Sequence, residues 1–483
     1  MITLVISISI LIVGYFVYGK FADRIMQVDG LAVTPAIAIN DGVDYTPLPV
    51  WKIFMIQFLN IAGLGPIFGA ILGAVYGPLA YLWIVLGCVF MGAAHDYFAG
   101  MLSLRNNGAS LPELVGKYLG GGVKVFLRIF TLILLIFVGV AFVSGPAKLL
   151  TSITNINITV WLWIIFGYYF FATLFPVQKI IGKIYPIFGA ILIIMALMIL
   201  FMMFFKQSIG EIHLIELNVS HFKDFHVSNN KDLLYPIMFI VISCGAISGF
   251  HATQSPMMAR CLINEKQARF AFYGAMIAEG IVAIIWATAA MNYFGNVDDL
   301  KATLAVPNQD PAWIVNEICN TWFGKVGAII AILGVVFCPI TTGDTAFRSA
   351  RLTLADSLKI GQKSIKSRLL LSIPLFIIGI LLTFVLSDQF ATVWKFVGIS
   401  NQVLSSITLW TIAMYFALNK KPHWFISIPA FILTAICFTY ILVAPVKNGG
   451  IALPQNLSYI LGLVLAMIIS VVWYLYYKSK KQF

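Results

Sequence analysis

Five ionisable side chains stand inside otherwise apolar stretches of this chain: Asp96, Glu279, Asp344, His251 and Lys395. A charge in hydrocarbon is costly, so such groups mark ion or substrate paths. A carboxylate that can give up its charge is what proton coupling requires, which makes Asp96, Glu279 and Asp344 the proton-coupling candidates. For Glu279 the competing reading is a neutral acid bonded to a neighbouring amide. His251 can donate to a substrate carboxylate or titrate near neutral pH. Lys395 is expected to pair with Asp388 or to snorkel outward.

Two apolar stretches are interrupted in mid-course: 51–77 at Gly63-Leu64-Gly65-Pro66, and 233–256 at Cys244 through His251. Backbone that stops being helical inside a bilayer leaves polar groups unsatisfied, which is tolerated only where protein, water or a ligand meets them. Paired broken helices point to the binding site of a secondary transporter. At the first break, free N–H groups near Gly63 to Phe68 suit a carboxylate, Gly63 and Gly65 admit close approach, and Asn60 lies one turn earlier. At the second, Ser243, Gly245, Ser248, Gly249 and His251 supply hydroxyls, backbone and an imidazole. Asn401 and Gln402 are adjacent and face different ways, so one can face a cavity while the other secures a helix contact. Together these ten residues are the substrate-binding candidates. The plain alternative is that the glycines only let helices pack closely.

These groups need a membrane scaffold to hold them. With 60% hydrophobic and 10% charged residues in a chain of 483, composition excludes an ordinary soluble domain. Apolar runs of membrane length predict thirteen spans, at 2–19, 51–77, 79–102, 123–144, 158–175, 184–205, 233–256, 268–293, 325–347, 368–387, 390–417, 423–443 and 457–477. The first reads as a retained helix, not a signal peptide. Placing the N-terminus outside sorts 23 of the 31 Lys and Arg residues to the inner side, so the C-terminus is expected in the cytoplasm. The net charge of +12 therefore speaks of topology and lipid, not nucleic acid; the basic segment 348–367 is expected to touch anionic lipid. The six cysteines form no CxxC pair and read as apolar packers. His213, His221 and His226 in 206–232 fit no compact metal motif and read as a solvated loop.

Asp41 to Pro47 (DGVDYTP), Ile61 to Pro66 (IAGLGP), Asp96 before an aromatic residue, Cys244 to His251 (CGAISGFH), Thr341 to Ala346 (TTGDTA) and Phe396 to Gln402 (FVGISNQ) occur in this order. The set resembles the carbon starvation protein A family, within the amino acid/polyamine/organocation superfamily. That resemblance implies a bacterial inner-membrane uptake system for pyruvate or small peptides, used when nutrients are scarce. It also implies a core of five plus five inverted helices whose first members are unwound. The chain departs from longer members at Ile56-Gln57-Phe58, where those resemble His-His-Phe, and at Gln254 to Met257. Both departures lie beside a break and leave the substrate and coupling ion open.

On this scheme the chain is an all-α polytopic protein. Residues 1–50 carry an added helix and an inner loop, and 51–205 form the first repeat (spans 2–6). An outer loop covers 206–232, and 233–417 form the second repeat (spans 7–11). Residues 418–483 hold two peripheral helices. Within 294–324, the turn at Pro307 to Pro311 precedes a short amphipathic helix over 312–323 that resembles the superfamily's outer lid. Opposite travel of spans 2 and 7, derived from charge alone, agrees with inversion. The superfamily likeness further places Thr341 and Thr342 against the unwound part of span 2, where the carbonyls of Leu59 and Ala62 bind sodium in some relatives. Sodium is thus a second choice for the coupling ion beside the proton, and no cofactor is expected.

The spans lack the continuous polar face or charged rings of a channel. An intramembrane enzyme would need a metalloprotease HExxH motif, a nucleophile elbow or a Cys/His cluster, and the sequence has none. The Gly63-Leu64-Gly65 stretch follows no strand and is not a dinucleotide fingerprint, and no GxxxxGK[ST] loop is present. The expectation is a carrier driven by an ion gradient.

Overall fold

A computed structural model describes residues 1–177, 181–218, 234–386 and 390–481. Ten helices are long and apolar enough to cross a membrane, and Val50–Ala62 with Gly65–Tyr76 forms one further span bent by 52°. The short apolar helix Ile158–Leu174 and the interrupted pair Leu234–Val241 and Gly249–Ala259 stand at the positions of spans 5 and 7. Helices thus stand at all thirteen predicted positions among the described residues, eleven of them with the length and composition of a membrane span. Their ends differ because hydropathy marks the hydrocarbon, while helices run on into the interface: span 4 is Gly121–Thr154 and span 9 continues to Leu358.

Burial sorts these spans into core and rim. The spanning windows of spans 3 and 8 are 83% and 78% buried, against 28% for span 1 and 22% for span 13. Span 1 packs on span 8, and spans 11, 12 and 13 pack in series. Spans 4 and 9, the third helices of the two expected repeats, form the most extensive helix pair. Small residues bring them together: a Cβ on Gly139 of span 4 would lie 2.5 Å from the Phe347 ring of span 9.

Outside the membrane, Pro311–Phe323 is helical as expected, capped by Asp310 accepting from the Trp313 N–H at 3.1 Å. Gly324, at φ +64°, turns the chain into span 9. Among the described residues, two further helices of nine residues were not predicted, Leu111–Leu119 and Val297–Ala305. In the first, Glu113 pairs with Arg128 at 2.5 Å and with Lys124. Burial opposes charge on Glu113, but those two cations hold its carboxyl below the usual range.

Two residues of the basic segment 348–367 depart from their expected place against lipid, while Lys359, Lys363 and Lys366 are exposed. Arg348 and Arg351 lie on the continuation of span 9 and are buried. Each lies 3.5 Å from Asp44, and Arg348 also donates to the carbonyls of Phe175, at 2.9 Å, and Ala172. Burial opposes charge on Asp44, yet Arg351, Arg348, Arg260 and Arg368 hold its carboxyl below the ordinary Asp range. The turn that delivers Asp44 is fixed by Asp41, whose Oδ1 accepts from the N–H groups of Val43, Asp44 and Tyr45 at 2.9, 3.0 and 2.9 Å.

Candidate functional site between the two breaks

Each break forms where its glycines make helix continuation unnecessary and neighbouring side chains satisfy the freed backbone. Span 2 stops at Ala62, and Gly63 takes φ +43° and ψ −138°. The chain then re-enters a π-turn at Gly65–Gly69, with Pro66 early in it. In span 7, Phe239–Val241 ends at Ile242, and an extended Ser248 leads into Gly249–Ala259. The Ile242 carbonyl accepts from Trp83 Nε1 at 2.9 Å, and the Phe239 carbonyl from Gln402 Nε2 at 2.8 Å. Ser243 closes the intervening turn by accepting from the N–H groups of Ala246 and Ile247.

The two breaks touch. A Cβ on Gly65 would sit 2.1 Å from Cys244 Cβ and 2.4 Å from its Sγ. The other candidate glycines also face protein in this conformation: Gly63 meets Phe142 and Thr342, Gly245 meets Ala283, and Gly249 meets the backbone of span 11 at Ser405 N and Asn401 O. Their space is used for close packing. The N–H groups expected to be free near Gly63 to Phe68 are fewer than predicted, because Ile67 and Phe68 both donate to the Leu64 carbonyl, at 3.2 and 2.7 Å. These three- and four-residue bonds close onto Leu64, the residue that precedes the π-turn.

The ionisable candidates fall into two groups. Asp96 of span 3 accepts from His251 Nδ1 at 3.0 Å and from His95 Nδ1 at 2.8 Å, while Glu279 of span 8 lies 3.5 Å from His251 Nε2. All four side chains are fully buried. No amide bonds Glu279, in contrast to the neutral alternative considered from sequence; neither of its oxygens has a hydrogen-bond partner among the described residues. Asp344 sits apart, with Tyr185 Oη donating to it at 2.5 Å and Thr173 Oγ1 at 3.3 Å.

Two of the candidate sodium ligands, Thr342 and Leu59, bond to each other, while the Thr341 hydroxyl bonds within its own helix. Thr342 Oγ1 donates to the Leu59 carbonyl at 2.7 Å, and Thr341 Oγ1 donates to the Cys338 carbonyl at 2.7 Å. Ala62 ends the half-helix beside them. Tyr185 Oη, besides serving Asp344, lies 3.1 Å from the Thr341 carbonyl, so this cluster and Asp344 share one phenol.

Several buried polar atoms at the breaks have no partner among the described residues: both side-chain ends of Gln57 and of Asn60, Asn401 Oδ1, Gln402 Oε1, His251 Nε2 and both Glu279 oxygens. The Ser248 side chain makes no cap bond, and its hydroxyl lies 3.8 Å from Cys244 Sγ. Lys395 reaches Asn448 Oδ1 at 3.3 Å; Asp388, its expected partner, lies outside the described residues, as do His221 and His226. Three participants carried no signal of their own in the sequence. His95 is adjacent to Asp96, Gln57 was noted only as a departure, and Cys244 was read as a packer but lies within 4.8 Å of ligand atoms of His251 and Glu279.

An uncharacterised membrane protein of Haemophilus influenzae is 43% identical over 357 residues, which cover 62% of this chain and 92% of that one. The pyruvate/proton symporter BtsT of Escherichia coli is 29% identical over 344 residues, 59% of this chain and 48% of the symporter. The peptide transporter CstA of the same organism is 29% identical over 355 residues, 58% of this chain and 48% of that one. The match therefore spans about half the length of these two transporters. Among solved structures, MhsT in complex with L-phenylalanine superposes on 88% of this chain and 97% of its own, with a TM-score of 0.55 and 14% identity. The fold is thus that of the broken-helix transporters. With the family model for carbon starvation protein CstA matched over residues 1–153, 143–323 and 310–440, this multi-pass membrane protein belongs to that family.

Proposed function

We propose that the protein is a secondary carrier, not an enzyme, that takes up small carboxylate metabolites, pyruvate first and short peptides second. Its place is the bacterial inner membrane, N-terminus outside and C-terminus in the cytoplasm. The observation that carries the reading is the meeting of two broken spans, Gly65 against Cys244, amid buried polar atoms that have no partner among the described residues. Buried polar groups are ordinarily satisfied, and a polar solute between the breaks would satisfy those of Gln57, Asn60, Asn401 and Gln402. The names of the relatives support the substrate class.

The coupling ion in this reading is a proton, and Asp344 is its holder. It sits where spans 2 and 9 meet through Thr342 and Leu59 and is linked to that junction by Tyr185. The direct Thr342 to Leu59 hydrogen bond engages two of the sodium-ligand candidates with each other, which favours the proton. Asp96 and Glu279 then serve the second break, where Asp96 orients His251.

Uptake of labelled pyruvate into proteoliposomes tests the reading. An imposed inward proton gradient without sodium should drive accumulation, and Asp344→Asn should reduce it at least tenfold. Strict sodium dependence without proton movement would overturn the coupling ion. No uptake of pyruvate, dipeptides or amino acids under any gradient would overturn the carrier.

A further inference from the structure

We propose that Cys244, His251 and Glu279 form a transition-metal site for a zinc-class divalent ion at the break of span 7. Their donor atoms all lie within 4.8 Å of one another, and the three side chains are buried, Cys244 at 7% exposure and the others fully. Among the described residues, the thiol has only long contacts, with the Ser243 and Ser248 hydroxyls at 3.9 and 3.8 Å. His251 Nδ1 is engaged by Asp96 at 3.0 Å, so with Asp96 as acceptor the ring's free lone pair is on Nε2. That atom faces Glu279 Oε2 at 3.5 Å, and neither it nor either Glu279 oxygen has a hydrogen-bond partner among the described residues. Convergent unprotected lone pairs call for a cation.

The donor set selects which cation. A thiolate, an imidazole and a carboxylate suit zinc or a similar first-row ion better than magnesium or calcium, which prefer oxygen alone. With bond lengths near 2.0 to 2.3 Å, tetrahedral ligand atoms stand roughly 3.3 to 3.6 Å apart. The 3.5 Å between His251 and Glu279 already meets that spacing, and from within 4.8 Å the thiol needs to close by about 1.2 to 1.5 Å at most. Asp96 supplies the outer carboxylate that fixes ring orientation and tautomer in histidine-metal sites. An ion here would tie the break of span 7, through Cys244 and His251, to Glu279 of span 8.

Cobalt binding to the purified, metal-free full chain in detergent tests this, independently of any transport. Co²⁺ should produce a thiolate-to-metal charge-transfer band in the near ultraviolet, with tetrahedral visible bands, and Zn²⁺ should displace it. Cys244→Ser should abolish the thiolate band, whereas Cys319→Ser and Cys437→Ser should keep it. Asp96→Asn should weaken metal affinity by roughly 10- to 100-fold, and Glu279→Gln by at least tenfold, in competition with a chromophoric chelator. No thiolate band in the wild type, its survival in Cys244→Ser, or unchanged affinity in both Asp96→Asn and Glu279→Gln would overturn the site.

Discussion

The break in span 2 and the break in span 7 occupy related places in the fold, yet they carry different chemistry. Around the first, the polar groups are amides and hydroxyls: Gln57 and Asn60 without partners among the described residues, and Thr342 bonded to the Leu59 carbonyl. Around the second are an imidazole, two carboxylates and a thiol, with His251 between Asp96 and Glu279. The fold therefore brings two interruptions into contact, and their side chains differ. The first break presents neutral hydrogen-bonding groups, and the second presents ionisable ones. Asp344, tied through Tyr185 to the first, is the one carboxylate outside that division.

The largest expected effects come from the two glycines that set the breaks against their neighbours. Gly249→Leu should reduce uptake to background, because its Cβ would lie 2.5 Å from Ser405 N and 2.6 Å from Asn401 O, backbone atoms that cannot step aside. At the other break the obstacle is a side chain, so Gly65→Ala should fail in the same assay but recover when combined with Cys244→Gly, which removes the Cβ at 2.1 Å. Equal failure of the double variant would show that Gly65 is needed for a reason other than its contact with the second break.

A large effect on stability rather than transport is expected at the ion cluster that ties the loop before span 2 to span 9. Asp44→Asn leaves Arg348 and Arg351 buried without their carboxylate and should cost about 3–5 kcal/mol, read as a fall in melting temperature in detergent. The sign of its pH dependence follows from the lowered carboxyl. A depressed Asp contributes stability that is present above the ordinary value of 3.8 and is lost as pH falls through its lower native value. Wild type should thus lose stability in that acid window, and Asp44→Asn should lose less.

Smaller effects separate the two breaks. Asn60→Ala should raise the KM for uptake several-fold and leave its pH profile in place, whereas His251→Gln should move the pH profile. A shifted profile in Asn60→Ala would erase the distinction between neutral and charged breaks. The smallest change is expected for Thr342→Val, which removes one hydrogen bond to Leu59, worth about 1 kcal/mol. Collapse of uptake in that variant, together with dependence on sodium, would return the sodium site to first place.

Much of this was legible in the sequence because a bilayer imposes one-dimensional rules. Helix length against hydrocarbon thickness fixes the spans, and Gly63-Leu64-Gly65-Pro66 and Cys244 through Phe250 announce the breaks. What was hidden depends on which residues meet across the fold. Asp96 and His251 are 155 positions apart and 3.0 Å apart in space, and no period in the chain reports that. Arg348 and Arg351 looked like lipid-facing charges because their partner, Asp44, lies 304 and 307 residues away. Leu111–Leu119 escaped notice because its nine residues are too short for a span and its amphipathic pattern competes with nearby Gly and Pro. Cys244 looked apolar for want of neighbours.

Counterflow exchange tests the central claim, that one alternating site lies between the two breaks. Liposomes containing the purified protein are loaded with unlabelled pyruvate and given labelled pyruvate outside, with no ion gradient. A carrier with a single site predicts transient accumulation of label above equilibrium in the wild type and none in Gly249→Leu. Entry of label that rises only to equilibrium, at the same rate whether or not the liposomes are preloaded, would contradict it.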